Sequence, residues 1–234
     1  MKRLLILCSL VFGCGSPDES ALKIVGGHQA SHKPFYGGFY VGGGFRCGSS
    51  LIKKRWVITA KHCLPSNENH IKVRLGAWKM QAGNGGKPFE LIAVKKVVAH
   101  PTYDLALLKL KRPSSFNPVR IYSGNNIPDR YPLKAIGFGS LGKGMGSPSQ
   151  LQQVTLYNIA NAGIWHKKPH LIYVGAGVGK DVCHGDSGGP LIYKGKLVGV
   201  AFWTGSQCGQ HDSIKRPSAY TKIDMPWLNR VVGN

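Results

Sequence analysis

Short apolar runs recur along this chain between turns that carry glycine or proline. They fall at residues 48–52, 56–60, 71–75, 89–98, 105–110, 134–138, 151–159 and 190–193. That spacing predicts an antiparallel sandwich or barrel rather than a helical or doubly wound fold. The 32 glycines and 14 prolines suit a turn-rich chain, and 234 residues suffice for one all-β unit with a sizeable core. Helical periodicity emerges only at residues 224–232, where Trp227, Leu228, Val231 and Val232 fall on one face of a short amphipathic helix. Residues 82–87 and 139–148, both glycine-rich, are expected to be mobile loops.

The first residues read as an export signal. Lys2 and Arg3 precede an apolar stretch at 4–12 that is too short to span a bilayer. The stretch ends in Val11-Phe12-Gly13-Cys14, which resembles the bacterial lipoprotein pattern in which the cysteine is lipidated after cleavage. The expected division is a signal with lipidation candidate Cys14 at 1–14, a polar connector at 15–23 and the folded domain at 24–234. The expected location is outside the cytoplasm, either free or anchored through Cys14.

Without Cys8 and Cys14, four cysteines remain: Cys47, Cys63, Cys183 and Cys208. An even number in an exported protein predicts two disulfides. Three pairings are open; Cys47 with Cys63 and Cys183 with Cys208 gives two local loops. No pair has the short spacing of a structural zinc site, so no metal is expected.

The formal charge is +21, and without residues 1–23 the chain keeps 28 basic and 8 acidic side chains, or +20. Such a surface favours encounter with anionic partners or an anionic envelope. No aromatic-basic nucleic-acid motif accompanies it, and Lys53-Lys54-Arg55 reads as a solvated turn.

A serine hydroxyl attacks a carbonyl only when a histidine takes its proton and a carboxylate orients that histidine. Three segments supply these groups in the order His, Asp, Ser: Thr59-Ala60-Lys61-His62-Cys63, then Tyr103-Asp104-Leu105-Ala106-Leu107-Leu108, then Gly185-Asp186-Ser187-Gly188-Gly189-Pro190. With these motifs and Ile24-Val25-Gly26-Gly27, the chain resembles the trypsin/chymotrypsin family from Ile24 to Trp227. The resemblance implies two six-stranded antiparallel β-barrels with a C-terminal helix and a cleft between them. It also implies His62 as general base, Asp104 as its orienting partner, Ser187 as nucleophile, and the N–H groups of Gly185 and Ser187 as the oxyanion hole. Reaction would proceed through an acyl-enzyme without a cofactor, on protein or peptide substrates, in a monomer open to protease inhibitors.

In that family, cleavage before the Ile-Val-Gly-Gly segment frees an α-amino group that pairs with the aspartate preceding the serine. Here cleavage after Lys23 would free Ile24, and Asp186 would receive it, so latency before cleavage is expected. If Cys14 is lipidated, the same cut would release the enzyme from its anchor.

Asp181 stands six residues before Ser187, where the trypsin branch carries the carboxylate at the floor of its substrate (S1) pocket, which implies cleavage after Lys or Arg. Phe202, Trp203, Thr204 and Ser218 would line that pocket. Thr204 and Ser218 replace the usual glycines, so a narrower pocket and a preference for Lys over the bulkier Arg are expected. Lys23 is itself then a suitable self-cleavage site. Phe202 stands where the family usually has a serine that supports the aspartate. Residues 77–88 lack carboxylates, which predicts calcium independence. The competing class is a non-catalytic relative that binds an anionic partner; such proteins usually lose one of the three catalytic residues, and none is missing. An esterase is disfavoured by Ile24-Val25-Gly26-Gly27 and Asp181.

Overall fold

The computed structural model describes residues 25–124, 126–160 and 168–233. The first half builds a closed barrel from β2 (Tyr36–Val41), β3 (Gly44–Lys53), β4 (Trp56–Thr59), β5 (Ile71–Leu75), β6 (Glu90–Ala99) and β7 (Ala106–Leu110), in the order β2-β3-β4-β7-β6-β5. Closure comes from β2 pairing with β5, Gly37 facing Leu75 and Val41 facing Ile71. The barrel is filled by alternating inward side chains, among them Phe39, Leu51, Ile58, Val73, Leu75 and Leu107, all fully buried.

The second half repeats the plan with β8 (Pro132–Gly137), β9 (Gln152–Asn158), β10 (Leu171–Gly175), β11 (Pro190–Tyr193), β12 (Lys196–Trp203) and β13 (Ser218–Lys222). Pairing of β8 with β9 closes this sheet into the second six-stranded barrel. Its core includes Leu133, Val154, Leu156, Val174 and Leu191. The short β1 (His28–Gln29) adds to β9, so the chain entering the first barrel is already tied to the second.

The helix α1 (Met225–Val232) begins where Asp224 accepts the N–H of Trp227 at 3.1 Å, with a proline in the first turn that sacrifices no helical hydrogen bond. It buries Trp227 and Leu228 among first-barrel residues, each contributing roughly 1.5–3 kcal/mol. The helix therefore straps the end of the second barrel back onto the first.

Between the barrels, Gly48 N–H donates to Ser187 O at 2.8 Å, and within the second half Gly188 N–H donates to Ala201 O. Gly188 has φ +76°, and a side chain there would meet Thr59 Oγ1 at 2.3 Å and Gly48 O at 2.4 Å. Only glycine allows this approach, which brings the 185–190 turn against the strand that leads to His62.

The two disulfides join Cys47 to Cys63 and Cys183 to Cys208. The 82–87 segment, expected to be a mobile loop, is instead closed on a buried side chain. Asn84 Oδ1 accepts the N–H groups of Trp78 and Lys79, and its Nδ2 donates to Gly76 O and Lys87 O. All hydrogen-bonding capacity of one amide is used where ladder bonds end.

Candidate active site

His62 lies in a short 3-10 turn (Lys61–Cys63) directly after β4, so the strand fixes its backbone. Its Nδ1 lies 2.7 Å from Asp104 Oδ2, and its backbone N–H donates to Asp104 Oδ1 at 2.8 Å. Both carboxylate oxygens thus hold one residue, which fixes the imidazole's orientation. The Cys47–Cys63 bridge backs the ring, with its sulfurs and a ring nitrogen within 4.8 Å of one another. Phe202 approaches from the other barrel, its ring centroid 6.5 Å from that of His62.

Asp104 ends a tight turn built on the buried His100. His100 Nδ1 accepts the N–H groups of Thr102 and Tyr103, so the ring carries its proton on Nε2, which lies 3.0 Å from Asp224 Oδ2. Tyr103 is stacked between His100 and His170, with centroids 4.7 and 4.6 Å away. The residue before Asp104 is therefore held by both barrels. Burial tends to raise the Asp224 carboxyl, but hydrogen bonds from His100 and Trp227 outweigh it and hold the group below its ordinary value.

Ser187 is half-buried and lines a cavity of about 410 Å³ shared with His184, Phe202, Trp203, Thr204 and Lys143. Among the described residues, the N–H groups of Gly185 and Ser187 donate to no protein acceptor, while those of Asp186, Gly188 and Gly189 are all engaged. The structure brings His62 and Asp104 into direct contact and sets Ser187 and Phe202 on one cavity. No hydrogen bond joins the Ser187 hydroxyl to His62.

Asp186 is buried beneath residues 137–139. Its Oδ1 accepts the N–H of Gly139 at 2.8 Å and its Oδ2 that of Cys183 at 3.0 Å. A side chain at Gly139 would come within 2.2 Å of Asp186 Oδ2, so that cover must be glycine. Burial pushes the carboxyl up to about 6, against the pull of those two N–H groups and with a further push from Asp181. Among the described residues no cation pairs with it. Cys14, Lys23 and Ile24 lie outside the described residues.

Asp181 is fully buried and does not line the cavity. Thr204 Oγ1 donates to its Oδ2 at 2.9 Å, Ser218 Oγ donates to its Oδ1 at 2.6 Å, and Ser206 Oγ donates to Oδ2 as well. Of the residues expected around the substrate pocket, Phe202, Trp203 and Thr204 line it; Ser218 lies behind with Asp181. The carboxylate therefore sits at the back of the pocket wall rather than on an open floor, because the hydroxyls of Thr204, Ser206 and Ser218 enclose it. Ser206 was not foreseen; the signal available was its place in the long stretch between Trp203 and Cys208. Lys143, on the rim, stood in a loop with no distinguishing motif.

Two antiparallel barrels meeting at a His–Asp pair and a serine-bearing turn define a peptidase architecture of the serine class. The family model described as Trypsin matches residues 24–228. Cationic trypsin-3 of Rattus norvegicus is 33% identical, over 99% of this chain and 99% of its own. Anionic trypsin of Bos taurus is also 33% identical, over 99% of this chain and 98% of its own. Among solved structures, mouse neuropsin, a serine protease, superposes with a TM-score of 0.76 at 25% identity, covering 88% of this chain and 98% of that one. The chain belongs to the trypsin family and is a trypsin-like serine endopeptidase. Its substrates are accordingly proteins and peptides.

Proposed function

We propose that this endopeptidase is exported as a zymogen, is activated by cleavage after Lys23, and hydrolyses peptide bonds after Lys or Arg. His62 acts as general base and then acid, Asp104 holds its tautomer, and Ser187 attacks the scissile carbonyl. The free N–H groups of Gly185 and Ser187 receive the developing oxyanion, and the acyl-enzyme is released by water. Peptide inhibitors that mimic a bound substrate would occupy the same cleft, and the enzyme works as a monomer.

The observation that carries the specificity is Asp181, a buried carboxylate one side chain behind the cavity beside Ser187. A P1 lysine reaches it by drawing the Thr204 hydroxyl into the contact; arginine, broader at its tip, fits less well. Latency is supported by Asp186, whose burial with two N–H donors leaves its charge in need of a cation. The chain is already pinned nearby, since Asp181 N–H donates to Val25 O at 3.2 Å, one residue from Ile24. A new α-amino group on Ile24 would supply that cation. With a basic P1 preference the enzyme can cut its own Lys23, and if Cys14 is lipidated the cut also frees it from the membrane. Among the described residues, no helix is long and apolar enough to cross a membrane.

The test is fluorophosphonate labelling before and after cleavage at Lys23, read by mass spectrometry, followed by P1 profiling of the cleaved form. Labelling at Ser187 that rises sharply on cleavage, with Lys then Arg preferred, is the expected result. Equal labelling of both forms overturns the zymogen reading, and an aliphatic or aromatic P1 preference overturns the specificity.

A further inference from the structure

A second cavity, of about 380 Å³, shares no lining residue with the cleft beside Ser187. Residues of β8, β9 and β11 line one side, with Lys134 opposite Thr155, Ile136 opposite Gln153, and Ile192 opposite Lys134. Lys33 and Phe35, from the segment entering the first barrel, and Lys194, from the β11–β12 turn, complete it. Three lysines, one amide side chain and two hydroxyl-bearing residues, Tyr131 and Thr155, therefore line a single concavity that holds no carboxylate.

That arrangement is costly as it stands. Lys33 is half-buried and donates to Ser31 Oγ at 2.8 Å; burial first, and the charge of Lys134 second, hold its pKa below the ordinary lysine value. None of the ion pairs among the described residues involves Lys33, Lys134 or Lys194. Lys194 is held at the rim by two aromatic faces, its Nζ 5.5 Å from the Tyr131 ring centre and 5.3 Å from that of Tyr193. Three like charges lining one cavity without a counter-ion, Lys33 half-buried and Lys134 and Lys194 exposed, are relieved by an anion that accepts from several donors at once. A tetrahedral oxyanion does this, with the Thr155 hydroxyl, on the strand paired with Lys134, to complete its shell; the Gln153 amide is already engaged with His28 Nε2 at 2.6 Å. The apolar wall of Phe35, Ile136 and Ile192 suits a carbon body attached to it.

We propose that this cavity binds a phosphate or sulfate group, free or as an ester, through Lys33, Lys134 and Lys194. The site is separate from the peptidase centre, and its test does not depend on the substrate reading. Calorimetric titration of the purified protein, at one fixed ionic strength, with inorganic sulfate and with glucosamine 6-sulfate distinguishes the two sources. Tighter binding of the sugar by tenfold or more identifies an ester ligand; equal binding identifies the free oxyanion. The paired change Lys33→Gln with Lys134→Gln is expected to weaken binding at least tenfold while peptide hydrolysis stays at the parent rate. The pair Lys95→Gln with Lys96→Gln makes the same change in net charge on β6 and is expected to alter binding less than twofold. Should the first pair fail to fold, Lys134→Gln alone, on the exposed face of β8, is expected to weaken binding at least threefold. Absence of saturable binding by either probe, or equal weakening by both lysine pairs, overturns the proposal.

Discussion

Thr204 donates its hydroxyl to Asp181 across 2.9 Å and so stands between the cavity beside Ser187 and a buried carboxylate. One rotatable side chain thereby decides how much of that charge a substrate can feel. Thr204→Gly is expected to raise kcat/KM for arginyl substrates about tenfold and for lysyl substrates less, since one lost side chain in a pocket changes discrimination by about 1–3 kcal/mol. Asp181→Ser should reduce hydrolysis after both basic residues by at least about a hundredfold. Steady-state kinetics on matched Lys and Arg peptides checks both, and an unchanged Arg-to-Lys ratio in the Thr204 variant counts against this account.

Asp186 gives a pH signature. Its carboxyl is pushed up to about 6 by burial, whereas an unfolded aspartate titrates near pH 3.9. Between those values the folded precursor binds more protons than the unfolded chain, so its stability falls as pH rises from about 4 to 7, by roughly 3 kcal/mol. Under the proposed activation, cleavage after Lys23 is expected to supply a counter-charge and flatten the slope, and Asp186→Asn to remove it. Denaturation midpoints of a Ser187→Ala precursor across that pH range provide the measurement; a flat profile contradicts the assignment.

Asp104 orients His62 through both oxygens. Asp104→Asn keeps the shape but favours the wrong imidazole tautomer, and kcat is expected to drop by about 10⁴ with KM little changed. A loss confined to KM would place Asp104 outside the chemistry.

Asn84 offers a stability test away from the cleft. Asn84→Ala removes four hydrogen bonds from a buried loop centre and should cost roughly 3 kcal/mol in denaturant unfolding. The folded fraction should retain its kcat, because the loop contributes nothing to the cavity beside Ser187.

How legible each part was follows from where the physics is local. β5 and β6 could be read from apolar runs because each is a short apolar segment with glycine or proline in the turn between them. β2 was not, since Gly37 and Gly38 interrupt the pattern; they are small because Ser49 and Tyr40 crowd the space above them. β12 ends in Phe202 and Trp203 on the cavity wall, whereas β13 begins with Ser218 behind it, and the residues alone do not separate these two positions. The His–Asp–Ser order was visible because each residue sits in a short motif. The hydroxyl cage of Asp181 was only half visible: Thr204 and Ser218 stand at recognisable positions, whereas Ser206 arrives through a loop whose path depends on the Cys183–Cys208 bridge and on left-handed backbone at Gln207 and Cys208.

The main-chain bond from Gly48 to Ser187 links the carbonyl of the proposed nucleophile to the opposite barrel. Any loosening that parts the two halves must pull on the residue proposed to attack the substrate. Separation of the two barrels therefore breaks a bond at the serine position of the cleft itself.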